Sequence, residues 1–215
     1  MKAWIAGSIV AWMVAVGGLV ALGQWEHALF VTAIGTGCRL GELLGVRETD
    51  LDLETGLLRV CRSLSRAGAK PVFGRPKTAH GVRTILLPDE AIDAIRAALH
   101  WKKEQRLRLS ARFRDVGLVF CGPRGRPLNP SNVRNRDHLP RLARLGLPRI
   151  RPHDLRHAHA TYLVAAGVDA RTVADRLRHA SPSFTMKRYA HAAAHAQKHA
   201  AGVANELLMK SGQIG

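Results

Sequence analysis

The residues of this sequence best suited to chemistry are basic and histidine side chains at the starts of predicted helices. His153 and Arg156 are three residues apart in such a position, so their side chains share one face beside a helix N-terminus, where anions bind well. Arg39 follows Gly35-Thr36-Gly37 at the start of another predicted helix. Each of these positions, taken alone, is also compatible with a solvated basic helix end.

Three further residues are candidates for contact with a substrate. Lys77 is next to a predicted hairpin turn, where a lysine more often serves solubility, and His179 ends a short predicted helix ten residues before Tyr189. Basic side chains at positions 187, 188 and 191 flank Tyr189 and would lower the cost of a phenolate, whereas a lone tyrosine is usually packed in a core. The other tyrosine, Tyr162, lies in an apolar predicted helix and is expected to be core.

Metal and disulfide chemistry are both weakly supported. A histidine series at positions i, i+4 and i+8 could chelate a metal on one helix face and consists of His191, His195 and His199. No carboxylate or cysteine joins this series, so a polar face of an alanine-rich helix is the favoured interpretation. The three cysteines stand at positions 38, 61 and 121 without a CxxC pair, which indicates neither a disulfide framework nor a cysteine zinc site, and points to a reducing compartment.

The composition is that of a folded, strongly basic domain. The 215 residues include 33 Lys and Arg against 16 Asp and Glu, a net charge of +17, and 47% are hydrophobic, which argues against a disordered basic tail. Residues 1–60 hold four basic and six acidic side chains, a net charge of −2, so residues 61–215 carry +19. A surface of this charge favours a polyanion, with nucleic acid ahead of an anionic membrane.

The segment 3–23 has no charged residue and is apolar all round. A segment of this kind is either deeply buried or inside a membrane, and a cleaved signal peptide is a third alternative. From Trp25 onward the pattern is that of one mostly helical domain with a small antiparallel sheet built from the runs LLRVCRSL, PVFGRPK and VRTILLP. Helices are predicted at about 25–37, 38–49, 88–112, 131–144, 152–166 and 169–178, with Ser131 capping the fourth, and a last helix starting at Pro182.

Four stretches of the chain resemble the catalytic domain of the tyrosine recombinases, also called the phage integrase family. They are TGCRLGELLGV around Arg39, RPKTAHGVRTILLP around Lys77, PHDLRHAHATYLVAAGV around His153 and DRLRHASPSFTMKRYAH around Tyr189. They run in family order and cover residues 24 to 200. The order Arg, Lys, His-x-x-Arg, His, Tyr is far more specific than any of its members.

The resemblance implies cleavage of one DNA strand by a tyrosine, which forms a 3′-phosphotyrosyl bond and frees a 5′-hydroxyl without ATP or metal. It assigns Tyr189 as the nucleophile and Lys77 as the proton donor to the leaving 5′-oxygen. Arg39 and Arg156 would hold the negative charge of the transition state. Because Glu42 is one helical turn past Arg39, it is a candidate to brace a guanidinium.

The two histidines complete the set that the resemblance implies. His153 is assigned as an acid or base near the nucleophile, and His179 as a hydrogen-bond donor to the phosphate. Arg178 stands where the family usually has a glycine, at the end of a helix, which predicts a left-handed backbone at an arginine. The family's usual N-terminal helical domain, which closes around DNA, is not present in this sequence, and residues 1–23 do not resemble the amphipathic helix that usually opens the catalytic domain.

These observations predict an α+β, predominantly helical fold with a small antiparallel three-stranded sheet. Residues 24–215 form the catalytic domain, preceded by an apolar segment 1–23 of uncertain role. We expect site-specific recombination and integration of DNA, as mobile elements use it, with double-stranded DNA and further copies of the chain on paired sites as partners. No cofactor and no small-molecule substrate are expected, and the cytoplasm with its nucleoid is the expected location. The open alternatives are a truncated remnant, an inactive DNA-binding or regulatory protein, and a membrane-anchored protein.

Overall fold

The computed structural model describes residues 23–68, 70–74, 82–144, 146, 149–178, 181 and 183. They belong to two compact units, the first ending at Arg156 and the second beginning at His157. Residues 3–22 of the apolar segment, the predicted residues Lys77, His179 and Tyr189, and the histidine series from His191 lie outside the described residues. Among the helices that are described, none has the length and apolar character needed to cross a membrane.

The first described helix of the first unit is apolar and lies in the core. Helix α1 (Gln24–Thr36) buries Leu29 and Phe30, and ends at Gly37, whose left-handed φ of +65° lets its N–H bond back to the carbonyl of Ala33. Glycine has no Cβ and adopts this conformation at little cost, so the predicted Gly-Thr-Gly sequence ends the helix effectively. The short helix α2 (Leu40–Leu44) follows at once.

The sheet is antiparallel, as predicted, but the strands divide differently. The three-stranded sheet has the order β1 (Leu51–Asp52), β2 (Leu57–Val60) and β5 (Arg83–Leu86). A separate two-stranded hairpin consists of β3 (Ser63–Ala67) and β4 (Lys70–Gly74). The run LLRVCRSL, expected to be one strand, breaks at Cys61-Arg62, where the Arg62 side chain forms an ion pair with Asp50 and donates to the carbonyl of Gly45 at 3.4 Å.

The long helix α3 (Asp89–Leu109) packs along α1. Its inward face carries Ala91, Ala94, Ile95 and Ala98 at the spacing expected of a helix with one buried stripe. The two helices approach closely at Gly35, where an added Cβ would meet Cγ of Pro88 at 2.7 Å. Beyond that apolar stripe the ammonium of buried Lys102 donates to the carbonyl of Leu118 at 2.9 Å and lies 2.8 Å from a carboxylate oxygen of Asp115.

Three helical segments follow one another between residues 130 and 144. They are α4 (Pro130–Asn132), a π-helical segment (Val133–His138) and α5 (Leu139–Arg144). The cap is Asn129 rather than the predicted Ser131, because the Asn129 side chain accepts the backbone N–H of Ser131 at 3.0 Å. The buried ring of His138 stacks on Phe30 with centroids 4.5 Å apart, and its Nε2 is 2.7 Å from the carbonyl oxygen of Ile150.

Helix α6 (Pro152–Ala165) begins in the first unit and ends in the second, where α7 (Ala170–Leu177) follows. The second unit has a small apolar core of Ala160, Val164, Val173 and Leu177. The carboxylate of Asp169 caps α7 by accepting the N–H of Thr172 at 2.9 Å.

Two of the predictions made from the sequence concern residues of the second unit. Arg178 has φ +56° and ψ +52° at the end of α7, which confirms the left-handed backbone. The expectation that Tyr162 is core was wrong, because its side chain is 62% exposed. Ala160 and Val164 carry the buried stripe of α6, and a residue two positions from each points away from that stripe.

Candidate active site

Three of the predicted site residues lie in the first unit and are described: Arg39, His153 and Arg156. Arg39 precedes α2, and the other two stand in the first turns of α6. The structure brings all three into one electrostatic cluster, since Arg39 and Arg156 both lower the pKa of His153. These residues and the side chains that hold them form the candidate site.

Arg39 is held at its backbone and its side chain by one carboxylate. Glu42, at the third position of α2, accepts the backbone N–H of Arg39 at 2.9 Å, as a glutamate does in a capping box. The same carboxylate accepts from Nη1 of Arg39 at 3.2 Å. The Arg39 side chain remains 47% exposed, so the guanidinium is both oriented and accessible to an anion.

The side chain of Arg156, the last residue of the first unit, belongs to the same cluster. Its guanidinium is 2% exposed and donates from Nη1 to the carbonyl oxygen of Gly37 at 2.8 Å. Because Gly37 is two residues before Arg39, this bond sets the two arginines side by side. Burial, and then the positive charge of Arg39, lower the pKa of Arg156 to about 10. A buried cation beside a second cation is a position that favours an incoming anion.

Glu42 is the carboxylate at the centre of the cluster, and its second partner, Arg83, was not found by sequence reasoning. Nη2 of Arg83 donates to Oε2 of Glu42 at 2.8 Å and Nη1 donates to Oε1 at 3.2 Å, a two-pronged ion pair with both side chains buried. Burial alone would raise the pKa of Glu42, but the hydrogen bonds from Arg83 and Arg39 lower it to about 2. The one available signal was Glu42 itself, a charged residue inside the apolar run LGELLGV, which needs a cationic partner when buried.

His153 lies on the exposed side of the cluster. Partial burial, and then the charges of Arg156 and Arg39, lower its pKa below the ordinary value. The imidazole is therefore mainly neutral at neutral pH, the form that can accept a proton.

The cluster as a whole carries an excess of positive charge. Arg39, Arg83 and Arg156 surround one carboxylate, and planar guanidiniums bind the oxygens of a phosphate through paired donors. Donors that are fixed before an anion arrives stabilise the charge that develops on it during reaction. The arrangement is suited to phosphoryl transfer.

Metal-ligating side chains do not gather here. Within the described ranges, no group of three or more His, Cys, Asp or Glu residues is placed to hold a metal ion. The three cysteines are free thiols; Cys38 and Cys121 are buried, and Cys38 accepts from Nη2 of Arg83 at 3.5 Å. Burial raises the pKa of the Cys38 thiol, so it stands beside the arginines as a neutral group.

Comparison with known families gives one match that covers most of the chain. The model of the phage integrase family matches residues 16–196. This range contains every site residue named above.

The names of related proteins agree with this match. The chain is 32% identical over 199 residues to a protein named tyrosine recombinase XerC-like from Caldanaerobacter subterraneus subsp. tengcongensis, covering 87% of this chain and 51% of that one. It is 33% identical over 174 residues to the integrase of Mycobacterium phage FRAT1, covering 79% of this chain and 50% of that integrase. The chain therefore spans about half the length of the curated relatives it matches.

Solved structures show the same fold. The integrase of transposon Tn1549, in complex with transposon right end DNA, superposes with a TM-score of 0.73 at 23% identity, covering 88% of this chain and 64% of that one. The crystal structure of XerA recombinase superposes with a TM-score of 0.60 at 22% identity, covering 81% and 54%. The predicted α+β, mainly helical fold with a small antiparallel sheet is confirmed.

Proposed function

The chain belongs to the phage integrase family, and we propose on that basis that it is a site-specific DNA recombinase that cleaves and rejoins strands through a 3′-phosphotyrosyl intermediate. The observation that carries the proposal is the paired guanidinium site, in which Gly37 fixes Arg156 and Glu42 fixes Arg39. A protein that merely bound DNA could do so with exposed basic side chains. It would have no need of a buried arginine held beside a second one.

The reaction begins with attack of the Tyr189 oxygen on the scissile phosphorus. The phenol proton passes to His153, the bond from phosphorus to the 5′-oxygen breaks, and Lys77 protonates the leaving oxygen. Arg39 and Arg156 bind the nonbridging oxygens, on which negative charge gathers in the transition state, and His179 donates a further hydrogen bond. Attack by a 5′-hydroxyl of a partner strand reverses these steps and restores Tyr189.

Each described residue has a property that supports its part. His153 has a lowered pKa and can accept a proton at neutral pH. Arg156 is buried and bonded to the carbonyl of Gly37, whereas the Arg39 side chain is accessible to the backbone of a bound duplex. The phosphotyrosyl bond conserves the energy of the cleaved ester, so the proposed mechanism uses no cofactor.

Double-stranded DNA is the proposed partner, with further copies of this chain assembled on paired sites and no small-molecule substrate. The chain carries +17 overall, a charge that favours contact with phosphates at low salt. Because the protein is proposed to act on DNA, we place it with the nucleoid in the cytoplasm.

The direct test is recovery of a covalent adduct between protein and DNA. The full chain is incubated with a pool of nicked duplexes of randomised core sequence, so that a cleaved strand loses its short end and cannot be rejoined. We expect an adduct that survives denaturant, is digested to a peptide containing Tyr189, and is absent in Tyr189→Phe. Retention of DNA by the wild-type chain without any adduct would contradict the proposal and support an inactive DNA-binding protein instead.

A further inference from the structure

Arg83 is a buried charged residue of the cluster that the proposed reaction does not use. It is the first residue of β5, paired across the sheet with Val60, and stands six residues after Lys77 in the chain. Its side chain is 9% exposed and lies against Glu42, so it offers no open face to a DNA phosphate. Its role must therefore be exerted through the group that it contacts.

The Glu42 carboxylate receives four hydrogen bonds, two from each of two arginines. Oε2 accepts from the Arg39 backbone at 2.9 Å and from Nη2 of Arg83 at 2.8 Å. Oε1 accepts from Nη1 of Arg39 and from Nη1 of Arg83, both at 3.2 Å. A carboxylate has about four acceptor positions, so this one is saturated and has a single favourable orientation.

Arg83 and Arg39 differ in how many of their side-chain donors are bonded to Glu42. Both prongs of the Arg83 fork are used on Glu42, and its Nη2 also faces the Cys38 sulfur at 3.5 Å. Arg39 gives Glu42 one side-chain nitrogen, and its side chain is 47% exposed. Arg83 thus holds the carboxylate in place, and the carboxylate in turn orients the Arg39 guanidinium.

We propose that Arg83 is a positioning residue for DNA cleavage, which fixes the Glu42 carboxylate and through it the direction of the Arg39 guanidinium. The inference rests on the proposed cleavage reaction. The contact joins β5 to α2, the helix that follows Arg39 and contains Glu42. A small error in the position of a group that binds the transition state costs a large factor in rate.

Among the described residues, the charged and titratable groups that face Glu42 are Arg39, Arg83, Arg156 and Cys38. Burial raises the pKa of Glu42, and Arg83 gives the strongest opposing effect through its hydrogen bonds and its charge. Removal of Arg83 therefore raises that pKa toward or above the ordinary value of a glutamate. Activity of such a variant then falls as the pH falls through the new pKa, because a neutral Glu42 no longer holds Arg39.

The first experiment measures single-turnover cleavage of the nicked duplex from pH 4.5 to pH 9. We expect Arg83→Gln to be about 10- to 100-fold slower than wild type at pH 7 and to lose further activity on the acid side at a higher pH than wild type. Arg83→Lys, which keeps the charge but not the fork, should recover part of the rate. The matched control is Arg96→Gln, which removes an arginine paired to Asp93 on α3, away from the cluster, and should leave the pH profile unchanged.

A double-mutant cycle separates action through Glu42 from general weakening of the fold. In a Glu42→Gln background the further change Arg83→Gln should cost less than threefold, because the group that Arg83 positions is already gone. Losses that multiply in the double variant, or an acid limb unchanged from wild type in Arg83→Gln, would overturn the inference.

A second measurement does not depend on cleavage. Carbon-13 NMR titration of the Glu42 carboxyl should show it ionised down to about pH 2 in wild type and Arg96→Gln, and titrating at clearly higher pH in Arg83→Gln. The Nε–H resonance of Arg39, assigned with Arg39→Lys, should move in the same variant. A wild-type chain that forms no adduct contradicts the proposed function, whereas an unmoved Glu42 titration and an unmoved Arg39 resonance refute the role of Arg83 whether or not the chain cleaves DNA.

Discussion

The guanidinium of Arg156 donates to the carbonyl oxygen of Gly37 at 2.8 Å, across 119 residues of chain. This bond joins the first turns of α6 to the turn that ends α1, two residues before Arg39. The position of one arginine of the site thus depends on a backbone carbonyl, which depends in turn on the left-handed conformation of a glycine. Several measurable consequences follow from this and the neighbouring contacts.

The change Gly37→Ala should weaken both the fold and the site. A side chain at φ +65° costs on the order of 1 kcal/mol, and relaxation of that strain moves the carbonyl that holds Arg156. We expect a loss of about 1 kcal/mol in the free energy of unfolding, measured in urea, and at least a tenfold loss in cleavage rate. Gly117→Ala is the control, since Gly117 has φ +72° with open space around its Cβ, and it should lose stability but keep the rate.

The change Arg156→Lys should abolish most of the cleavage while DNA binding stays nearly constant. A lysine keeps the charge but loses the planar pair of donors, and the ground-state affinity for DNA comes from many phosphate contacts. Loss of one preorganised donor to a transition-state oxygen costs about 10²- to 10³-fold in rate. Filter binding and adduct formation on the same duplex measure the two effects, and an equal loss in both would argue that Arg156 only binds DNA.

The two tyrosines should behave in opposite ways. Tyr189→Phe removes the proposed attacking oxygen and should eliminate the adduct with no loss of DNA affinity. Tyr162→Phe is a suitable control because the Tyr162 side chain is 62% exposed and its loss of a hydroxyl leaves no buried group unpaired. An adduct that survived in Tyr189→Phe and vanished in Tyr162→Phe would reverse the assignment of the nucleophile.

Stability should depend on Glu42 at neutral pH and much less in acid. Its pKa is about 2 in the folded protein against an ordinary value of 4.5, so its ionised form stabilises the fold above pH 4.5, and this contribution is lost as the pH falls toward 2. The shift corresponds to about 3 kcal/mol for this buried group. The difference in unfolding free energy between wild type and Glu42→Gln should shrink by roughly 2 kcal/mol from pH 7 to pH 3, and a constant difference would show that ionisation of Glu42 contributes nothing.

The change Arg178→Gly should raise the melting temperature. The backbone of Arg178 is left-handed, with φ +56°, and a glycine in this position removes a strain of about 1 kcal/mol. Arg178→Ala removes the same charge but keeps the strain, so it should melt near the wild-type temperature. If both variants gain equally, relief of charge repulsion rather than backbone conformation is the cause.

Local features of the fold were well predicted from the sequence. The ends of α1, α6 and α7, the Gly37 stop and the left-handed Arg178 are set by residues within a few positions of each other, and local sequence signals report them. The break between β2 and β3 was missed, and the strand pattern carries no sign of the ion pair that Arg62 forms with Asp50 at that point.

For the site as well, local motifs were predicted and long-range contacts were missed. Arg39, His153 and Arg156 were identified from their motifs, and the structure places them in one cluster. Arg83 was missed, although it lies in one of the quoted stretches, because its partner Glu42 is 41 residues away and hydrophobic periodicity carries no information on which charges meet. Tyr162 was misjudged because an apolar helix has two sides, and the sequence did not say which one the tyrosine occupied.

The buried ring of His138 has a consequence for how this sequence can change over time. It stacks on Phe30 of α1 and bonds to the carbonyl of Ile150, so a single imidazole serves α1, the π-helical segment and the residues that lead into α6. A substitution at position 138 alone would leave a partly buried carbonyl without this donor and the Phe30 ring without its stacked neighbour. Among homologous sequences we therefore expect positions 30 and 138 to vary as a pair, with a planar ring at 30 wherever 138 is histidine and a paired replacement elsewhere.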